Sequence, residues 1–81
     1  MNWFVYILHS DSTGRTYTGI TTDPPRRLAQ HNLGKGAKAT RPGRPWKIVY
    51  CESAANKGQA LHREIEIKSL RRDAKLALCV L

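Results

Sequence analysis

The six-residue run Trp3-Phe4-Val5-Tyr6-Ile7-Leu8 constrains this chain more than any other stretch. It is aromatic and β-branched without polar interruption, which predicts a strand covered on both faces and therefore central in its sheet. Asp11-Ser12-Thr13-Gly14 follows with turn chemistry, Gly14 being free to take positive φ. Arg15 to Thr21 then returns as a second strand rich in Thr and Tyr. The two segments make a β-hairpin.

Thr22 or Asp23 can cap a helix whose first turn tolerates Pro24 and Pro25, because amide protons there have no acceptor within the helix. That helix should end near Gly34. Lys35 to Pro45 holds Gly, Pro, Lys and Arg with no acid, the composition of a mobile basic loop. Trp46-Lys47-Ile48-Val49-Tyr50 alternates less cleanly but reads as a third strand. Ser53 or Asn56 can start a second helix reaching about Leu70, and Asp73 to Leu78 a short third. The order ββαβαα implies an α+β fold, a small, mostly antiparallel three-stranded sheet flanked by helices. With 81 residues the chain reads as a single small domain with a limited core.

Charge points to the partner. Fourteen Lys and Arg stand against six Asp and Glu, a formal net charge of +8, which favours a polyanion through long-range attraction and counterion release. Nucleic acid is the leading candidate. A membrane surface is the rival, but no apolar run approaches the roughly 20 residues a spanning helix needs, and no membrane partner is expected. The start lacks the basic n-region of a signal peptide and its apolar stretch breaks at His9-Ser10-Asp11, so the expected location is cytoplasmic. Cys51 and Cys79 lack metal-type spacing and read as free, partly buried thiols in that compartment.

Several residues carry chemistry. If Leu8 lies opposite Tyr17, then Tyr6 lies opposite Gly19 and both tyrosine rings share a face; a one-residue slip separates them. In that register Gly19 leaves space beside the strand for a ring or a phosphate. The plainer account makes both tyrosines ordinary strand aromatics. Arg27 and His31 stand one helical turn apart on one face and can converge on an anion, with His31 donating to it or transferring a proton near neutral pH. Their plainer account is a solvated basic face. On the second helix, at roughly 100° per residue, Ala60, Leu61, Ile65 and Ile67 define an apolar arc that also contains Glu64 and Lys68, while Glu66 falls outside. A carboxylate inside such an arc is costly to bury without a cation, a metal or hydrogen-bond donors; the plainer account is a Glu64/Lys68 ion pair at the core edge. Lys35, Lys38, Arg41, Arg44 and Lys47 can track a phosphate backbone, and Trp46 can stack on a base or join the core. His9 and His62 have no partner at metal-ligand spacing.

Taken together these residues resemble the GIY-YIG nuclease superfamily over nearly the whole chain, and most closely its small stand-alone bacterial members. Val5-Tyr6-Ile7 stands where the family has its first motif, and Tyr17-Thr18-Gly19 where it has its second. Thr21-Thr22-Asp23 through Arg26-Arg27-Leu28-Ala29-Gln30-His31-Asn32 is similar to the arginine-bearing segment, Arg27 matching the catalytic arginine by its distance after Gly19. Within Arg63-Glu64-Ile65-Glu66-Ile67-Lys68, Glu64 matches the metal-binding glutamate. The first motif lacks its glycine, reading Phe4-Val5-Tyr6, and Thr18 replaces the isoleucine of the second.

The resemblance implies a metal-dependent endonuclease that hydrolyses phosphodiester bonds in DNA. Its implied catalytic set is Tyr6, Tyr17, Arg27, His31 and Glu64, with Glu64 holding one divalent cation, Mg²⁺ first and Mn²⁺ as a substitute. Arg27 would stabilise charge on the phosphoryl oxygens, Tyr17 would serve as base and Tyr6 as phosphate ligand. Gly19, Lys35, Lys38, Arg41, Arg44 and Lys68 would face the nucleic acid, Lys68 also tuning Glu64. Larger members join this domain to a separate DNA-reading module, so low intrinsic sequence specificity and a targeting protein as further partner are expected. Two other classes fit the charge: a nucleic-acid-binding module without turnover, and a protein-interaction domain with a basic surface.

Overall fold

The computed structural model describes residues 2–78. Three strands, β1 (Trp3–Ser10), β2 (Thr16–Thr21) and β3 (Trp46–Ala54), form one antiparallel sheet in the order β2-β1-β3. The helices are α1 (Pro24–Asn32), α2 (Lys57–Lys68) and α3 (Arg72–Leu78), with a single 3₁₀ turn at Lys38–Thr40. The α+β order ββαβαα is therefore as the sequence implies. β1 is central, and Val5, Tyr6, Ile7 and Leu8 are all buried.

Alternation along β1 divides the core into two layers. On the front, Tyr6, Leu8 and Trp46 pack with Tyr17, Leu28 and Ile48. On the back, Val5 and Ile7 pack with Ala60 and Ile67 of α2, and with Ile20, Val49 and Tyr50. β3 alternates imperfectly because its register shifts: Ile7 faces Tyr50 while Leu8 faces Ile48. Val49 is thus the extra residue of a bulge and joins Tyr50 against the back layer. β3 also runs on to Ala54, so Ser53 lies within the strand and only Asn56 caps α2, accepting from the Gln59 amide at 2.9 Å. Asp23 caps α1 through the Arg26 amide, and Pro24 and Pro25 occupy its first two positions.

Three expectations change. The apolar arc of α2 is narrower than its composition implies. Ala60 and Ile67 are buried, whereas Leu61 is 41% and Ile65 67% exposed. The small sheet covers only the sector around Ala60 and Ile67, which leaves the other aliphatic pair uncovered. The basic loop is anchored rather than free: Thr40 is buried and its carbonyl accepts from Trp46 Nε1 at 2.7 Å. Asn32 exchanges two further bonds with the Trp46 backbone, at 3.0 and 2.6 Å. Trp46 is accordingly a core residue, with no face left for a base. Cys51 is an exposed free thiol rather than a partly buried one; Cys79 lies outside the described residues.

Candidate active site

Hairpin register builds the centre of the site. Leu8 faces Tyr17 and Tyr6 faces Gly19, so both tyrosines project from the front of the sheet. Their ring centroids are 6.5 Å apart. A Cβ on Gly19 would sit 2.6 Å from the Tyr6 hydroxyl and 3.1 Å from Tyr17 Cε2. The space that Gly19 leaves is therefore taken by tyrosine rings and not by a phosphate, and its contribution is to let the two rings close over the strand.

α1 lies on this face and inserts His31 beside the pair, with ring centroids 6.0 Å from Tyr6 and 5.1 Å from Tyr17. His31 is fully buried, which replaces the solvated basic face with an internal hydrogen-bonding group. Its Nε2 is 2.9 Å from the Tyr6 hydroxyl and its Nδ1 2.7 Å from Thr40 Oγ1. Burial, and secondarily the charge of Arg27, holds its pKa below the ordinary histidine value, so the imidazole is neutral near pH 7. Both nitrogens are engaged and the ring meets no solvent. Direct donation from His31 to a phosphate is thus ruled out in this arrangement.

Tyr6 is 1% exposed. Burial pushes its phenol up to about 12, a rise opposed by the Arg27 guanidinium beside the hydroxyl and supported by Tyr17 and Glu64. It remains a neutral hydroxyl at any physiological pH. Its burial also removes it from the surface a phosphate would reach, contrary to the phosphate-ligand role. Tyr17 and Arg27 are partly exposed; Arg27 Nη1 is braced by Gln30 Oε1 at 2.9 Å.

Glu64 projects from α2, which packs on the back layer. Its side chain is 17% exposed, on the flank of the buried sector of α2, and its Oε2 pairs with Lys68 Nζ at 3.4 Å. Among the described residues no group of three or more His, Cys, Asp or Glu side chains could hold a metal ion. One partly exposed carboxylate nevertheless fits a divalent cation of the Mg²⁺ type, which keeps several waters and completes its coordination with substrate phosphate rather than with an all-protein cage.

Lys35, Lys38, Arg41 and Arg44 are exposed along the loop whose Thr40 packs on His31. Arg44 is partly committed, its Nε donating to the Arg41 carbonyl at 2.8 Å. A cavity of about 430 Å³ lined by Gly14, Arg15, Thr16 and Lys75 opens at the hairpin turn and includes none of the cluster. Sequence reasoning missed Thr40, Gln30 and Gly36. A Cβ on Gly36 would overlap His31 Nδ1 and come within 2.9 Å of Cε1. A threonine and a glycine in a Gly/Lys-rich loop carry no local signal of such packing.

A family model described as the GIY-YIG catalytic domain matches residues 2–77, and the chain belongs to this nuclease superfamily. Within it, the chain is similar to small UPF0213 proteins. It is 42% identical to one from Cupriavidus pinatubonensis over 77 residues, covering 95% of this chain and 84% of that one. A relative from Halobacterium salinarum is 47% identical over 74 residues, covering 91% and 95% respectively. The solution NMR structure of a UPF0213 protein from Bacillus halodurans has a TM-score of 0.59 and 44% identity, covering 96% of this chain and 82% of that one. No helix of the described residues is long and apolar enough to cross a membrane.

Proposed function

We propose that the protein is a metal-dependent endonuclease that hydrolyses phosphodiester bonds in DNA with low intrinsic sequence specificity. The observation that carries this reading is the division of labour in the cluster. Tyr6 and His31 are buried and hydrogen-bonded to each other, while Tyr17, Arg27 and Glu64 stay partly exposed around them. Chemistry on a bulky polyanion needs its reacting groups at the surface and their supports behind it.

Tyr17 meets the attacking water and orients it; in its phenolate form it accepts the water's proton as the new phosphorus–oxygen bond forms and the bond to the 3′ oxygen breaks, the departing oxygen taking a proton from solvent. Arg27 lies on the phosphoryl oxygens, where its fixed positive charge stabilises the growing negative charge, an effect typically worth about 3–4 kcal/mol in a preorganised site. A lysine would lose the planar fork that Gln30 braces. Tyr6 and His31 hold Arg27 and Tyr17 in place and touch no substrate. Glu64 is the residue that would hold Mg²⁺ or Mn²⁺. A cation held there would supply Lewis-acid neutralisation of the charge that develops on the phosphate and its leaving oxygen. Lys68 partly balances Glu64, and the loop cations Lys35, Lys38, Arg41 and Arg44 grip flanking phosphates without reading bases. Cytoplasmic DNA transactions, with a separate protein providing targeting, are the setting this low specificity fits.

The test is nicking of supercoiled plasmid and of labelled branched and single-stranded DNA, with Mg²⁺, Mn²⁺ or EDTA, beside Arg27→Ala and Glu64→Ala proteins. Metal-dependent cleavage by the wild type, lost in both variants, is the expected result. Salt-sensitive binding without cleavage of any substrate would overturn the enzyme reading in favour of a binding module.

A further inference from the structure

The buried hydrogen bonds behind the cluster have a polarity that can be read from one end to the other. Thr40 Oγ1 donates to the Ala37 carbonyl at 2.8 Å. A carbonyl oxygen only accepts, so this bond commits the one hydroxyl proton that Thr40 has. The same oxygen lies 2.7 Å from His31 Nδ1 and can serve that nitrogen only as an acceptor. With the hydroxyl proton on the Ala37 carbonyl, which the Thr40 amide also reaches at 3.0 Å, Nδ1 is the nitrogen that carries the ring proton. In a neutral imidazole the other nitrogen is then bare, so Nε2 accepts from the Tyr6 hydroxyl at 2.9 Å. With its proton turned to His31, the Tyr6 oxygen presents lone pairs to the Arg27 guanidinium beside it. The opposite tautomer would turn the Tyr6 proton toward Arg27 and set donor against donor.

We propose that Thr40 is a positioning residue: its hydroxyl fixes His31 as the Nδ1–H tautomer and thereby makes the Tyr6 oxygen an acceptor that aims Arg27. The catalytic consequence rests on the nuclease reading; the tautomer itself does not. Thr40 can do this because it is held rigidly. It closes the 3₁₀ turn Lys38–Thr40, is fully buried, and its own carbonyl accepts from Trp46 Nε1. Gly36 brings the loop backbone against the His31 ring, which prevents the ring from tilting away.

The experiment is long-range ¹H–¹⁵N correlation of the His31 ring in wild type, Thr40→Val and Thr40→Ser, with DNA affinity and cleavage rate measured on the same samples. Wild type and Thr40→Ser should show a protonated-type Nδ1 and a bare-type Nε2. Thr40→Val keeps the shape of the side chain but removes the acceptor, so the proton should move to Nε2 in a large share of molecules. Cleavage should fall about tenfold or more, the loss expected from one oriented hydrogen bond, with DNA affinity unchanged and Thr40→Ser restoring the rate. A wild-type spectrum with the proton on Nε2, or a Thr40→Val spectrum identical to wild type, overturns the proposal. If wild type cuts no DNA with any metal, the nuclease reading fails while the ring spectrum still decides the role of Thr40.

Discussion

Thr18 lies opposite Ile7 in β2 and is buried on the back of the sheet. Its Oγ1 is, among the described residues, the buried side-chain polar atom with no hydrogen-bond partner. Leaving a hydroxyl unpaired in an apolar setting costs about 1–3 kcal/mol. Thr18→Val exchanges that hydroxyl for a methyl of nearly the same size and keeps a β-branched residue in the strand. The variant should gain about 1 kcal/mol, which for a domain of this size raises Tm by about 4–8 °C. Thermal unfolding followed by circular dichroism or calorimetry reads this directly, and nicking activity should be preserved because Thr18 faces away from Tyr17 and Gly19. An unchanged or lowered Tm would refute the reasoning and mean that the hydroxyl is hydrogen-bonded to an internal water.

Gly19→Ala should destabilise the fold by about 1–3 kcal/mol and suppress cleavage, since the new methyl lies within 2.8 Å of Tyr6 Cζ in a ring with no room to retreat; chemical denaturation beside the nicking assay checks both. Alkaline titration should show Tyr6 giving up its proton near 12 rather than 10, a late phenolate absorbance phase missing from Tyr6→Phe. Because the unfolded chain deprotonates first, stability should fall as pH rises through that window. At the acid end the sign reverses. The folded His31 pKa is lowered from 6.5, so stability is full above 6.5 and declines as pH falls below it, a decline that His31→Gln should lack in pH-dependent unfolding. Neutralising Lys35, Lys38, Arg41 and Arg44 should weaken duplex binding and flatten its dependence on log salt by about 0.9 for each phosphate the protein no longer neutralises, as read from affinities measured across a salt series.

Local chemistry made much of the fold readable. The apolar density of Trp3–Leu8 forces β1 to the centre, turn residues at Asp11–Gly14 set the hairpin, and Asp23 and Asn56 supply side-chain oxygens where the helices need them. Even the register follows from chemistry, since Tyr6 opposite Gly19 is the pairing in which a missing side chain is useful. What the sequence hid depends on packing across the chain. Leu61 and Ile65 are as apolar as Ile67, and only the width of the sheet decides which of them it covers. His31 carries no sign that it is buried, because its partners come from β1 and from a turn built of Lys, Ala and Thr. The loop reads as mobile from composition, yet the indole of Trp46 ties it down. For the candidate site, residue types and spacing drew attention to the tyrosines, Arg27, His31 and Glu64, and the family resemblance joined them into one set; which of them face solvent is a property of depth that spacing does not carry.

Glu64 and the tyrosine cluster stand on opposite layers of the sheet, and β2 is the edge strand between them. The carboxylate thus acts as a cantilever whose far end is set by how α2 is seated on Val5 and Ile7. A cavity cut behind the sheet at Ile67 would loosen the seat of that arm on Val5 and Ile7. On the proposed nuclease reading, such a protein should keep its DNA affinity and its aromatic cluster yet cleave slowly, which binding and nicking assays on the same variant would read. On that reading the packing of the back layer is also what sets the alignment of the proposed site.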